Sequence, residues 1–261
     1  MSKNVLFITE GKNDTRFLKS LLNTFRDGRE YEVFVYNTSI HELLERLVSE
    51  TGMDDDVDFM MFLKGCNTNK EQYELLDRKF TDIFLIFDMD PHHQRYDPER
   101  LKAAMEFFSD STVNGKLYLN YPMLESFRHI PDPEGFGYLD LKVLRADIGH
   151  NYKGKAASEG SKLLSDIAKI DITLMERILI LNLMKSNMIT NGCRILPDAE
   201  IYLRISGVRI LEKQTRALSE EGWIYVLNTS VFIVVDYSPE SILGMLGNDY
   251  KSLYGPVDHQ L

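Results

Sequence analysis

Cysteine is scarce. Cys66 and Cys193 are the only two in 261 residues, and they fit neither a metal-ligand spacing nor a disulfide framework. A reducing compartment, the cytoplasm, is expected on that ground. Long apolar runs are missing as well. No stretch reaches the roughly eighteen unbroken apolar residues that a spanning helix needs. The nearest, Leu174 to Met184, is interrupted by Glu176 and Arg177, so no membrane partner is expected. Val5-Leu6-Phe7-Ile8 is too short an apolar run for the core of a secretory signal. An excess of positive charge is also absent: 30 Lys and Arg face 40 Asp and Glu, for a net charge of -10. That excludes a protein that coats nucleic acid by charge alone. It does not exclude an enzyme that meets nucleic acid through metal ions, because such a site is itself acidic. There is no P-loop, so any ATP hydrolysis has to come from a partner. Internal repeats and low-complexity tracts are lacking too. The acidic run Asp54, Asp55, Asp56 and Asp58 reads as a solvated loop.

What is present suits an α/β fold. The chain is 44% apolar and 27% charged, enough to build one large domain or two modest ones without staples. Val5–Thr9 is a short apolar run that stops at Glu10-Gly11. Residues 13–25 place Phe17, Leu18, Leu21, Leu22 and Phe25 on one helical face. Tyr31–Tyr36 reads as a second strand. Ser39, with Glu42 three residues on, starts a helix that runs to about Glu50. Val57–Leu63 reads as a further buried strand, and residues 67–79 as a polar helix. Ile83–Phe87 is the clearest buried strand and is followed by Asp88-Met89-Asp90-Pro91. Residues 98–108 form a helix with proline in its first turn, and Lys116–Tyr121 is the last strand of the set. Alternation of this kind predicts a mostly parallel sheet flanked by helices, spanning residues 1–130. After the turn cluster at Pro131–Gly135, residues 131–261 read as a mainly helical region packed on it. Residues 162–187 and 208–220 are its helices, and 223–237 is ambiguous between strand and helix.

In an open α/β sheet, ligands bind beyond the carboxyl ends of the strands, where the strand order reverses. Glu10 and the Asp88/Asp90 pair follow two different strands at that end. If those strands are neighbours, three carboxylates meet. They repel one another unless a cation joins them, and Mg²⁺ suits a few carboxylates plus water. Such an ion activates water and stabilises the leaving oxygen in phosphodiester cleavage. Pro91 is expected to hold Asp90 extended and to turn the backbone between the two aspartates. Gly11 permits a tight turn. Asp14 is either a favourable first-turn charge or an acid that orients a ligand.

The segments Val5-Leu6-Phe7-Ile8-Thr9-Glu10-Gly11-Lys12-Asn13-Asp14 and Ile83-Phe84-Leu85-Ile86-Phe87-Asp88-Met89-Asp90 resemble the Toprim domain of type IA topoisomerases, bacterial primases, OLD-type nucleases and ribonuclease M5. The resemblance covers about the first 125 residues. It implies a Toprim-like fold, Glu10 as a metal-proximal acid or general base, and Asp88 and Asp90 as ligands of Mg²⁺ or Mn²⁺. Leu119-Asn120-Tyr121-Pro122-Met123-Leu124-Glu125 resembles a segment of Toprim proteins from anti-phage systems, including the RloB-like group and the abortive-infection effectors that partner an ATPase. It implies Glu125 as a further site acid; the plain alternative is an exposed acid at a helix start. The sequence departs from the topoisomerases in carrying Pro91-His92-His93-Gln94-Arg95 after the second aspartate, and it has no active-site tyrosine motif.

The expected function is a metal-dependent nuclease acting on RNA or DNA. Its substrate contacts come from Gly11, Lys12, Asp14, His92, Lys153 and Lys155. His92 and His93 could instead be a solvated loop. The basic stretch of Lys142, Arg145, His150, Lys153, Lys155 and Lys162 could instead be a solvated face; residues 151–155 in it read as a loop. Tyr118, Tyr121 and Phe127 are base-stacking candidates or core. The rival readings are a haloacid-dehalogenase-type phosphatase, a nucleotide-sugar transferase with a metal-binding Asp-x-Asp, and a non-catalytic effector module held by an ATPase partner.

Overall fold

The computed structural model describes residues 4–25, 30–53, 57–66 and 73–254. The first half runs β1 (Asn4–Thr9), α1 (Lys12–Thr24), β2 (Glu30–Val35), α2 (Ile40–Thr51), α3 (Phe59–Cys66), α4 (Tyr73–Leu76), β3 (Asp82–Asp88), α5 (Pro98–Phe107), β4 (Ser109–Asp110) and β5 (Gly115–Asn120). The second half adds β6 (Lys142–Leu144), α6 (Tyr152–Glu159), α7 (Ile172–Asn191), α8 (Ala199–Leu203), α9 (Gly207–Glu220), β7 (Trp223–Tyr225), α10 (Ile233–Tyr237) and α11 (Pro239–Tyr254).

The main sheet has the order β2-β1-β3-β5-β4. β2, β1, β3 and β5 are parallel, and β4 is antiparallel to β5. Val5 to Thr9 are all buried whichever way they point, as a sheet covered on both faces requires. The chain leaves β1 to one side for β2 and comes back on the other side for β3. The strand order therefore reverses between β1 and β3, and their carboxyl ends are the switch point where such sheets hold ligands.

Helix boundaries follow local chemistry. Ser39 Oγ accepts the Glu42 N–H at 3.3 Å to start α2, and Gly52, at φ 70°, closes it. Asp97 caps α5 through the Glu99 and Arg100 N–H groups, with Pro98 in the first turn. Asp171 caps α7 through Leu174 at 2.9 Å.

Several expectations fail for physical reasons. The segment 57–63, read as a strand or strand-like segment, enters the helix α3 at Phe59. Phe59, Phe62 and Leu63 are buried on one face while Met61 is 71% exposed, a helical spacing that a short apolar run conceals. Asp58 supports its first turn by accepting the Met61 N–H at 2.9 Å. Of the helix read over 67–79, the described part is helical at Tyr73–Leu76 and not at 77–79; residues 67–72 lie outside the described residues, as do Asp54, Asp55 and Asp56. Of residues 151–155, read as a loop, Asn151 closes a 3-10 turn and the other four are the first half of α6, whose buried residues Tyr152 and Ala156 stand four apart. Residues 162–171 are two short 3-10 turns, and the α-helix starts only at Ile172.

Buried apolar side chains from Val5 to Tyr250 join in one core. Residues 227–230 stitch the second half to β5. Tyr121 and Leu227 exchange both backbone hydrogen bonds, at 2.8 and 2.9 Å. The Thr229 hydroxyl donates to Leu119 O at 2.8 Å, and Asn228 Nδ2 donates to Leu124 O at 3.2 Å. Among the described residues, no helix is long and apolar enough to cross a membrane.

Candidate metal centre

The first residue past β1 is Glu10. Its N–H donates to Ile86 O at 3.2 Å and its carbonyl accepts the Asn37 N–H at 3.0 Å. The backbone is thus pinned between the ends of β3 and β2, with the side chain at the switch point. Glu10 Oε2 accepts the Asp88 N–H at 3.3 Å. Asp88 lies opposite Asn120 in the parallel register of β3 and β5. Its Oδ1 accepts the Leu124 N–H at 2.7 Å, which the short 3-10 turn Leu124–Phe127 presents.

That turn also carries Glu125, which is buried. Its Oε1 pairs with Lys153 Nζ of α6 at 3.2 Å. From the first turn of α1, Asp14 is 7% exposed. Its Oδ2 accepts the Gly11 N–H at 2.9 Å, while its Oδ1 is buried without a hydrogen-bond partner. Glu10, Asp14, Asp88, Glu125 and Lys153 border one polar cavity of about 370 Å³.

The energetics of this arrangement are unfavourable to charge. Burial, with the added charges of Asp14 and Asp90, pushes the Glu10 carboxyl up to about 8 against the help of the Asp88 N–H and Lys153. Burial and the Glu125 charge push Asp14 up to about 6. Asp88 is raised well above the usual carboxylate range by burial and then by Glu10, Asp14 and Glu125. Partial burial works against the Lys153 ammonium, yet Glu125, Asp88 and Asp14 outweigh it and hold its proton more tightly than usual. The Lys153 side chain is 62% exposed, so it neutralises the group from the rim and does not plug the cavity.

A hard divalent cation fits this donor set. The donors are carboxylate oxygens, their mutual repulsion is relieved by positive charge, and the orphaned Asp14 Oδ1 is a buried acceptor that needs a partner. Among the described residues, no three carboxylate, imidazole or thiol groups are already drawn into a finished ligand set. The open polar cavity beside the acids leaves room for an ion that keeps several waters.

Other residues named from the sequence are placed as follows. Gly11 and Lys12 line the cavity; Asp90 does not. The Asp90 N–H donates to Pro122 O at 3.1 Å, and φ is 34°, a left-handed turn and not the extended backbone expected before Pro91. Two carbonyl contacts hold that turn: His41 Nε2 lies 2.9 Å from Met89 O and 3.2 Å from Asp90 O. Carbonyls only accept, so Nε2 carries the proton. His41 in turn stacks on His93, whose Nε2 is 3.3 Å from Ser39 Oγ. His92 is exposed and packs against Gly149, where φ is 80° and a Cβ would stand 2.9 Å from the ring; it does not line the cavity. Lys155 is engaged with Asp147 and Glu159 away from the cavity. Lys142 lies over the Trp223 ring at 3.6 Å. Lys142, Lys153 and Lys155 therefore do not share one face, and of these three Lys153 reaches the acids. Tyr118, Tyr121 and Phe127 are buried in the core and not free to stack on bases.

Asn37 and Thr38 also line the cavity and were not singled out in the sequence. The usable signal is their position just after β2, at the same sheet end, where Asn37 takes φ 62°, a conformation asparagine tolerates better than most residues.

No family model, no curated protein and no solved structure matches this chain.

Proposed function

We propose that this chain is a Toprim-like, Mg²⁺- or Mn²⁺-dependent nuclease that hydrolyses phosphodiester bonds in RNA or DNA. The observation that carries the reading is the convergence of Glu10, Asp14, Asp88 and Glu125 on one cavity at the switch point, with a buried Asp14 oxygen lacking a partner. Asp88, Glu10 and Asp14 are the residues that would hold the cation. When bound, it supplies positive charge for the phosphate oxygens and a more acidic water.

The chain's own groups fit the remaining roles. Glu10, at the switch point on the cavity wall, is placed to take the proton of the attacking water; a bound cation would offset the repulsion that raises its proton affinity in the metal-free protein. Lys153, exposed at the rim, and Lys12, at the start of α1, can orient a phosphate by charge. The acids exclude binding by net charge, so the polyanion is admitted through the cation and the rim lysines. An abortive-infection role with an ATPase partner rests on the resemblance around Glu125 alone.

The test is cleavage of labelled RNA and DNA by the pure chain, with Mg²⁺, with Mn²⁺ and with chelator, beside a Glu10→Ala form shown by circular dichroism to be folded. Metal-dependent cleavage by the wild type and its loss in Glu10→Ala are expected. No cleavage, or equal cleavage by both forms, overturns the nuclease reading. Cleavage that needs an added ATPase assigns the chain to the effector class.

A further inference from the structure

A second cavity, of about 260 Å³, lies against β5 and α5, closed by α8, α9 and α10. Its depth is apolar and largely aromatic: Phe108, Tyr121, Tyr202 and Phe232 are all at least nine-tenths buried. Its outer lining includes Ser109, Ser206 and Leu203, which are exposed, Leu203 to 73%. Because three of its lining residues reach solvent, the cavity has an entrance and is not a sealed packing defect.

One polar cluster is built into the wall. Asp236 accepts a hydrogen bond from Tyr202 at 2.7 Å, from Lys116 Nζ at 2.5 Å and from the Tyr118 hydroxyl. Three of its roughly four acceptor sites are taken within the protein, and its charge is cancelled by Lys116. A cationic ligand therefore has no counter-charge waiting, and an anionic one would leave an unbalanced charge in a poorly hydrated space. Lys116 is different. An ammonium has three donors, only one is directed at Asp236, and the side chain is 36% exposed.

We propose that this cavity binds an uncharged, mainly aromatic small molecule bearing one carbonyl or hydroxyl oxygen that accepts a hydrogen bond from Lys116. Apolar cavities of about 150 Å³ hold a benzene ring, so this space takes one ring with a short polar substituent. The aromatic walls favour edge and face contacts with such a ring. The site is separate from the acid cavity and does not depend on nuclease activity.

The experiment uses the full chain and ligand-observed NMR with three probes of like size: acetophenone, ethylbenzene and benzoate. Acetophenone is expected to bind, ethylbenzene to bind about fivefold more weakly for want of one hydrogen bond, and benzoate to bind most weakly. Lys116→Met is expected to erase the preference for acetophenone over ethylbenzene. Val208→Trp, which fills the cavity, is expected to abolish binding of both while leaving a cooperative melt. No binding of acetophenone at roughly 10 mM, binding retained in a folded Val208→Trp form, tighter binding of benzoate, or a preference unchanged in Lys116→Met would each overturn the proposal. Should Val208→Trp fail to fold, the Lys116→Met comparison decides alone.

Discussion

At the scale of single residues, the acid cavity is a store of electrostatic repulsion. Asp88 is the clearest case, because its carboxylate is disfavoured by burial and by three neighbouring acids. Asp88→Asn keeps an oxygen for the Leu124 N–H and removes the charge. The metal-free variant should melt higher than the wild type, by about 2–4 °C for each kcal/mol of repulsion relieved. Its Mg²⁺ affinity should fall at least about tenfold, the loss of roughly 1.4 kcal/mol of attraction. Calorimetry finding equal Mg²⁺ affinity in the two forms would remove Asp88 from the ligand set. Glu10 gives a pH signature whose sign can be worked out. Its carboxyl moves from 4.5 to about 8 on folding, so between these values the folded state keeps a proton that the unfolded state releases. Its contribution to stability therefore falls as pH rises through that window. Lys185 works in the opposite sense: it is wholly buried against Tyr138 O and Leu141 O, and burial depresses its proton affinity. The measurement is accordingly a difference. The gain in melting temperature of metal-free Glu10→Gln over wild type should widen from pH 5 to pH 8.5, and a gap that is constant or narrows with pH contradicts the raised carboxyl.

At the scale of elements, the turn after β3 is held from the side by α2. His41 donates to both Met89 O and Asp90 O, and burial, foremost among its influences, keeps its imidazole more readily neutral. His41→Leu leaves two inward carbonyls without a donor, a cost of about 1–3 kcal/mol. His41→Gln, which retains an N–H, should recover part of it. Thermal melts of the three forms check this, and equal losses for Leu and Gln would mean that ring packing on His93, not hydrogen bonding, secures the turn. Elements of this kind set the limit of what sequence discloses. β1 and β3 are legible because strands covered on both faces are apolar at every position, and the acids that end them, Glu10 and Asp88, mark the sheet edge. The helix α3 is not legible, since eight residues with three buried positions look alike in either periodicity. The left-handed Asp90 is hidden because His41, about fifty residues away, supplies the hydrogen bonds that make it tolerable. Asp14 as a cavity wall and Lys153 as its rim cation depend on where α1 and α6 dock, which no local pattern encodes. His92 and Lys155, by contrast, sit near the acids in sequence or in charge and are turned elsewhere by Gly149 and by Asp147 and Glu159.

At the scale of the whole molecule, the sheet that frames the acid cavity is not finished by its own half of the chain. The loop that presents the Leu124 N–H to Asp88 is roofed by residues 227–230: Leu227 pairs with Tyr121, Asn228 donates to Leu124 O, and Ser230 N donates to Asn120 Oδ1 at 3.3 Å. A fragment ending at residue 130 would expose these groups together with the apolar underside of β5. It should be recovered as aggregate or as a species lacking a cooperative melt, whereas co-expression with residues 131–261 should restore a soluble complex; a well-folded 1–130 fragment would contradict this. Segments about a hundred residues apart thus meet beside the spot where the acids are held. A ribosome that has released only residues 1–130 has made Glu10, Asp14, Asp88 and Glu125 but not the roof that sets them, so the acidic pocket takes its final shape only after residues 227–230 have emerged.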